Sequence, residues 1–340
     1  MALADVWFVL FILIIAAYLV LDGFDLGVGI LHPFVARNDE ERRLVLNSIG
    51  PIWDGNEVWL VVGGGVLFAA FPIVYAALFA GFYGAMMLVV FCLILRTVAI
   101  EFRSKLAPSR WRSAWDGVFF LASLGLAVLL GVALGNIATG VPVDSSGEIR
   151  ISSLLDLLSP FAVLVGLTTM AMVTMHGALY LNLKTEGTVQ ARIRRLLPGL
   201  VATFVVLAGV TGIAVFVNED PIATAYLSGP WRFVLPLAAA GALAVAWVAY
   251  RRGHEARALA ASGAMIVFLM LAVGAGLYPN LLISTTDPAY SLTTANAASA
   301  DNTLTILLIV AIIGIPFIAT YTAGVYYIFR GKVRLSHESY

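Results

Sequence analysis

The chain of 340 residues is mainly apolar: 61% of its residues are hydrophobic, 12% are charged, and its mean hydropathy is +0.96. Soluble domains have about 25% charged residues, so this composition excludes an ordinary soluble protein. The 20 basic and 20 acidic residues balance to a net charge of zero, which gives no indication of a nucleic-acid partner. The single cysteine, Cys92, excludes a disulfide within the chain and a metal site made of several thiolates.

Apolar runs long enough to cross about 30 Å of hydrocarbon recur along the whole chain. Pro72 divides the apolar stretch 58–95, which is too long for one crossing, so two helices joined by a turn at Phe71-Pro72 are predicted there. The sequence thus predicts nine transmembrane helices. Their predicted ranges are 6–31, 58–71, 74–102, 116–138, 155–181, 197–217, 233–250, 259–279 and 304–329.

The loop charges predict the orientation of these helices. The loops after the first, third, fifth and seventh predicted helices, together with the C-terminal tail, contain 17 basic residues, whereas the opposite loops contain only Arg150 and Arg232. Because basic loops stay in the cytoplasm, the N-terminus is predicted outside and the C-terminus in the cytoplasm. We expect an all-α integral membrane protein with one polytopic domain over residues 1–340, packed as two four-helix bundles and one peripheral helix.

Two carboxylates, Asp22 and Asp25, lie within the first predicted helix. They are three residues apart and share one helix face, about 24 to 29 Å from the start of the span, at its cytoplasmic end. Ionisable groups in a membrane helix are costly and therefore functional candidates. The alternative is a packing motif, in which Gly23 and Gly27 allow close approach of another helix and the carboxylates reach interfacial water.

The second predicted helix begins close to Asp54 and Glu57, on the same side of the membrane. Their spacing is that of a capping box, which satisfies free N–H groups at a helix start. A proton route also needs titratable groups close together with access to water. We therefore predict that Asp22, Asp25, Asp54 and Glu57 form the entrance of a proton pathway, a role compatible with capping by Asp54.

A second set of charged residues lies at the same side of the predicted bundle, and we expect it to compensate charge or to stabilise the structure. Arg96, inside the third predicted helix, either extends towards the headgroups or pairs with the aspartates. Asp116 could cap the fourth helix. The predicted set is Arg96, Glu101, Arg103 and Asp116.

Several segments resemble subunit II of the cytochrome bd quinol oxidases. They are DGFDLGVGILHPF (22–34), the segment 37–83 with its WDGNEVW motif, RTVAIEFRSKL (96–106) and GNIATGVP (135–142). The resemblance extends over nearly the whole chain, and its most specific part is 22–116. This chain has Glu57 where other members have Gln, and Ala99-Ile100-Glu101 where others have Gly-Phe-Asp.

The resemblance implies a haem-free subunit of a terminal oxidase that oxidises quinol and reduces dioxygen to water. Two b-type haems and one d-type haem are then expected in the partner, subunit I. Asp54 matches the proton-route carboxylate of the family, Asp22 and Asp25 match its Asp-Gly-Phe-Asp motif, and Trp59 matches a tryptophan associated with dioxygen entry. A structural quinone, membrane lipid and small accessory membrane subunits are further expected partners, in the cell membrane of a bacterium or archaeon.

The histidines do not predict a haem site in this chain. Axial ligands of membrane haems lie inside helices, and of His32, His176, His254 and His337 only His176 lies within a predicted span. The methionines near it are typical of packing. Two other hypotheses remain at this stage: a proton- or cation-coupled transporter, and a purely structural partner subunit.

Overall fold

The structure is a computed structural model and describes residues 2–217 and 221–335. The described residues form twelve α-helices and one two-stranded antiparallel sheet. The helices are α1 (Leu3–Val35), α2 (Asp39–Ile49), α3 (Trp53–Ala70), α4 (Pro72–Gly81), α5 (Tyr83–Phe102), α6 (Ser109–Thr139), α7 (Pro160–Lys184), α8 (Gly187–Val217), α9 (Pro221–Ser228), α10 (Val234–Arg251), α11 (Glu255–Leu277) and α12 (Asp301–Ile328). The strands are β1 (Asn280–Leu282) and β2 (Leu292–Thr293).

Eight of the described helices are long and apolar enough to cross a membrane: α1, α5, α6, α7, α8, α10, α11 and α12. The chain is therefore a multi-pass membrane protein. The remaining long helix, α3, has 18 residues, but Asp54, Asn56 and Glu57 make its first turns polar. The predicted second crossing thus corresponds to a helix that is less apolar than the other eight.

The break predicted at Pro72 is confirmed, because α3 ends at Ala70 and α4 begins at Pro72. The prediction of one continuous helix over 74–102 is wrong. Phe82 leaves the helical conformation (φ −97°, ψ 20°) and separates α4 from α5. The loop that follows α6 packs against this break so closely that a Cβ at Gly81 would lie 2.4 Å from the Cβ of Ile149.

Other helix boundaries differ from the prediction because polar first turns are not visible in an apolar pattern. Helix α7 corresponds to the predicted range 155–181. It begins at Pro160 and not at 155, because the Ser159 hydroxyl accepts a hydrogen bond from the Ala162 amide (3.1 Å) and caps the helix there. α6 begins at Ser109 and α8 at Gly187, both well before the predicted starts, and each has arginines within its first three turns.

Helix α1 is the centre of the packing and contacts α3, α6, α7 and α11. Its crossing with α7 is very close: a Cβ at Gly27 would lie 2.0 Å from the Val173 carbonyl oxygen and 2.9 Å from the Gly177 Cα. The small side chains predicted to allow helix approach therefore do so at Gly27. Helices α6 and α11 each pack against both α1 and α7, the two helices of this close crossing.

Helix α12 lies at the periphery. Among its described residues, Leu304 is the buried one. Two hydrogen bonds hold its ends to the rest of the protein. Near its start, the Trp7 indole donates to the Leu304 carbonyl (3.0 Å), and near its end the Tyr326 hydroxyl donates to Asn56 Oδ1 (2.8 Å). Its remaining surface is mostly exposed.

Candidate functional site

Asp22 and Asp25 lie on one face of α1, and both are fully buried. Arg96 of α5, also fully buried, places Nη2 2.7 Å from Asp22 Oδ1 and 2.7 Å from Glu57 Oε2. One guanidinium therefore joins carboxylates of α1 and α3. Of the two roles considered for Arg96, the structure shows the charge partner. Arg96 is itself buried and does not reach water, and a buried carboxylate requires a counter-charge.

Asp25 is held by a chain of polar side chains that comes from α3 and α12. The Asn56 amide donates to Asp25 Oδ2 (2.8 Å), and the Tyr326 hydroxyl donates to Asn56 Oδ1 (2.8 Å). Neither Asn56 nor Tyr326 was predicted as a site residue. Asn56 lies in the WDGN motif and could have been found there, whereas Tyr326 is recognisable only from the position of α12.

The four residues predicted as a proton pathway differ in exposure. Asp54 is exposed, the Glu57 side chain is 21% exposed, and Asp22 and Asp25 are fully buried. The structure thus brings Asp22, Asp25 and Glu57 into one cluster, which we call the Arg96 cluster, with Asp54 on the surface one turn before Glu57. The arrangement is a sequence of carboxyl groups from the surface of α3 to the interior of α1.

The capping-box interpretation of Asp54 and Glu57 is wrong. α3 begins at Trp53 and its N-cap residue is Ile52, without a capping side-chain hydrogen bond. Asp54 therefore lies inside the first turn, where a negative charge is favourable at a helix N-terminus. Glu57 binds Arg96 instead of the backbone at the start of the helix.

A second ionic cluster lies around Asp116 of α6. Asp116 Oδ1 accepts a hydrogen bond from Arg103 Nε (2.6 Å), and Asp116 Oδ2 accepts one from Arg42 Nη1 (2.8 Å). Arg103 also reaches Asp39 Oδ1 through Nη2 (3.0 Å). Asp116 lies inside α6, well after its start at Ser109, so its predicted role as a helix cap is wrong. It connects α2, the end of α5 and α6.

The predicted set of compensating residues is therefore divided between two clusters. Arg96 belongs to the first, and Arg103 and Asp116 belong to the second, while Glu101 is half-buried near the end of α5. Trp59 is half-buried on α3 and packs against the hydrophobic core.

Helix α2 is tied to α8 by a further ion pair that sequence reasoning missed. Arg192 Nη2 lies 2.7 Å from Glu41 Oε1, and Arg192 Nη1 donates to Glu41 Oε2 (2.7 Å). The hydrogen bonds from Arg192 hold the pKa of Glu41 at about 2, well below its usual value. Glu41 is thus a permanently charged anchor near neutral pH and not a proton-transfer group.

A known protein family matches almost the full length of this chain. The family model described as "Cytochrome bd terminal oxidase subunit II" matches residues 3–329. The chain belongs to this family. It is therefore a subunit of a cytochrome bd quinol oxidase, which is an oxidoreductase complex.

Individual relatives agree with this assignment. The chain is 34% identical to "Cytochrome bd-I ubiquinol oxidase subunit 2" of Escherichia coli (strain K12), over 96% of this chain and 94% of the relative. It is 33% identical to "Cytochrome bd ubiquinol oxidase subunit 2" of Bacillus subtilis (strain 168), over 99% and 98% of the two chains. The bd oxidase from Geobacillus thermodenitrificans has the same fold, with a TM-score of 0.79 at 16% identity over 97% and 99% of the chains.

The family implies haem in the oxidase complex, but His176, the histidine expected within a span, does not fit axial ligation. His176 has both ring nitrogens engaged, one with Ser262 Oγ (2.9 Å) and one with the Val20 carbonyl oxygen (2.9 Å). His32 is fully buried, with Nε2 3.5 Å from Asp116 and its ring against Phe119. His254 is exposed before α11, and His337 lies outside the described residues.

Proposed function

We propose that this chain is the haem-free subunit II that supports subunit I, where two b-type haems and one d-type haem bind, and that it conducts protons from the cytoplasm towards them. The observation that carries the proposal is the Arg96 cluster. In it, Arg96 joins the buried carboxyl group of Asp22 to the partly exposed Glu57, and the buried Asp25, one turn further along α1, accepts a hydrogen bond from Asn56 of α3. Asp54, exposed one turn earlier on α3, supplies the contact with water.

The chemistry of the cluster suits proton transfer. Asp22 and Glu57 share one guanidinium, and Asp25 lies one turn from Asp22 on the same helix face, so the cluster can gain or lose a proton without creating an isolated charge in a buried site. Ion pairs and hydrogen bonds of 2.7–2.8 Å hold these carboxyl groups in place, and proton transfer requires titratable groups within hydrogen-bond reach of one another or of a bridging water. In this proposal Asp54 and Glu57 take up protons, and Asp22 and Asp25 pass them to the interior.

The proposal includes the membrane orientation that the loop charges predict, with α3 as the ninth crossing. An 18-residue helix extends about 27 Å, close to the thickness of the hydrocarbon. Its start contacts the Arg96 cluster, whereas at its end the Ala70 carbonyl accepts a hydrogen bond from the Ser299 amide (2.9 Å), just before α12. α3 therefore extends from the Arg96 cluster to the segment that precedes α12.

The more detailed parts of the proposal rest on what the family implies. Quinol oxidation and dioxygen reduction take place in subunit I, and Trp59 lies on a route for dioxygen. The half-buried position of Trp59 against the core supports access from the lipid side. A structural quinone and small accessory subunits are proposed on the same basis. No feature of the described residues favours the transporter hypothesis.

The test begins with copurification of a tagged chain in mild detergent, followed by reduced-minus-oxidised spectra. We expect haem b and haem d absorbance together with a second membrane chain. In the same complex, Asp25→Asn is expected to lower turnover and proton uptake at least 10-fold, because general acid–base steps contribute about 100-fold or more. Glu40→Gln, an exposed carboxyl on α2, is the matched control and is expected to leave both unchanged.

Asp54→Asn is expected to have a smaller effect than Asp25→Asn, since water can reach Glu57 without it. Normal turnover and proton uptake in Asp25→Asn, with intact haem spectra, would show that the chain is a purely structural partner. Loss of haem absorbance in that variant would assign Asp25 a role in assembly instead of proton transfer.

A further inference from the structure

A polar cleft of about 200 Å³ lies beside the second ionic cluster. It is formed by the start of α2, the segment after α5 and the start of α6. The hydrogen-bond donors among its lining residues include Arg37, Arg42, Arg103, Arg112, Ser109 and Ser113. We call it the arginine cleft. None of its lining residues belongs to the Arg96 cluster, and the proton-transfer proposal does not use it.

The arginine cleft has more positive than negative charge. Asp39 pairs with Arg103 (3.0 Å) and Arg112 (2.7 Å), and Asp116 pairs with Arg103 and with Arg42 (2.8 Å). Four guanidinium groups thus face two carboxylates, and the cleft has an excess of two positive charges when the imidazole of His32 is counted as neutral. An anion is the complementary ligand.

The hydrogen-bond donors of the cleft are also incompletely used. Arg103 is only 1% exposed, and its Nη1 finds no acceptor within the described residues; the same is true of Arg42 Nε. A buried donor without an acceptor is destabilising, and an anion in the cleft would supply the missing acceptor. The hydroxyl groups of Ser109 and Ser113 and the N-terminal amides of α6 add further donors at the same place.

The surroundings of the cleft indicate a lipid as the source of the anion. Exposed apolar side chains adjoin its lining residues in the sequence: Phe34 (60% exposed), Phe102 (49%) and Leu106 (49%). The cleft lies where α1, α5 and α6, three helices able to cross a membrane, have their polar ends. Arginines in this position attract anionic headgroups, while the apolar side chains suit acyl chains.

We propose that the arginine cleft binds a phosphate group, and that the phosphate is that of an anionic phospholipid headgroup. The oxygens of the phosphate accept hydrogen bonds from the buried Arg103 and from Arg37, Arg42 and Arg112 around it. The two excess positive charges balance the headgroup. The bound lipid thereby joins α2 to the ends of α5 and α6.

The test uses the delipidated oxidase complex purified through this chain. The complex is titrated with dioctanoyl phosphatidylglycerol, and bound lipid is counted by native mass spectrometry. Parallel titrations use dioctanoyl phosphatidylcholine, which has no net charge, and inorganic phosphate. We expect phosphatidylglycerol to bind at least tenfold more tightly than phosphatidylcholine and to be released by salt.

The double variant Arg37→Gln/Arg112→Gln is expected to bind phosphatidylglycerol about 30-fold more weakly, because each arginine contributes about a factor of five. Arg110→Gln is the matched control, since Arg110 is exposed close to the cleft but does not line it. Should the double variant fail to copurify with haem, Ser113→Asp places a carboxylate in the cleft. It is expected to weaken binding about fivefold, whereas Ser113→Asn has no effect.

Equal affinity for the two lipids without binding of inorganic phosphate, or equal binding by the double variant and Arg110→Gln, would overturn the proposal. Binding of inorganic phosphate that the double variant loses, without preference for phosphatidylglycerol, would support the phosphate site and assign it to free phosphate. Lipid binding is measured separately from proton uptake, so these outcomes do not depend on the proton-transfer proposal.

Discussion

Arg96→Gln would remove the guanidinium that lies 2.7 Å from both Asp22 and Glu57. Asp22 is fully buried, so it would lose its counter-charge in a site that water does not reach. Removing one partner of a buried ion pair costs about 3–5 kcal/mol. Glu57 contributes less to this loss, because its side chain is 21% exposed and can be solvated.

The comparison that isolates the ion pair is a double-variant cycle. Asp22→Asn/Arg96→Gln removes both charges, so it should be more stable than Arg96→Gln by roughly 1–3 kcal/mol. The glutamine and asparagine side chains keep most of the original volume. Glu57 remains in the double variant, which is why the recovery is expected to be partial.

The assay is thermal inactivation of the copurified complex, followed by its haem difference spectrum, with Arg110→Gln as a control for removal of an exposed arginine. Such complexes unfold irreversibly, so inactivation midpoints are compared at one heating rate. For a chain of 340 residues, a loss of about 3–5 kcal/mol corresponds to a decrease of roughly 4–7 °C. Equal midpoints for Arg96→Gln and Arg110→Gln, or strictly additive losses in the cycle, would refute the assignment of Arg96 as a charge partner.

Three further predictions use other contacts. Gly27→Ala should lower the yield of assembled complex strongly, because its Cβ would lie 2.0 Å from the Val173 carbonyl, whereas Gly55→Ala meets no atom within 4 Å and should be tolerated; size-exclusion profiles compare the two. Glu41→Gln should cost about 2 kcal/mol at pH 7. Because the pKa of folded Glu41 is lowered to about 2, its contribution is complete above the unfolded value and is lost as pH falls towards 2; denaturation midpoints of both proteins should therefore converge in acid, and a constant difference would contradict the ion pair. Tyr326→Phe and Trp7→Phe each remove one hydrogen bond that holds α12 and should each cost about 1 kcal/mol, additively; limited proteolysis before α12 should then be faster, and unchanged cleavage would exclude this anchoring.

The sequence alone determined the class of the protein and indicated the charged residues of its candidate site. Long apolar runs require a membrane, since nothing else removes so much apolar surface from water. Asp22, Asp25 and Arg96 were recognisable because ionisable side chains inside such runs are rare and costly. The break at Pro72 was also predictable, because proline cannot continue a helix from the residues before it.

The tertiary structure decided where helices end and which charges meet. The break at Phe82 depends on a loop more than 60 residues further along the chain, with Ile149 packed against Gly81, and no local pattern contains that contact. Asp54 and Glu57 fit a capping box locally, but the position of α5 gives Glu57 a stronger partner in Arg96. Tyr326 reaches Asn56 across 270 positions of the chain. Patterns of charge and hydropathy are local and can be recognised directly in the sequence. Pairing between helices depends on which helix faces pack together, and this is determined only when the whole bundle forms.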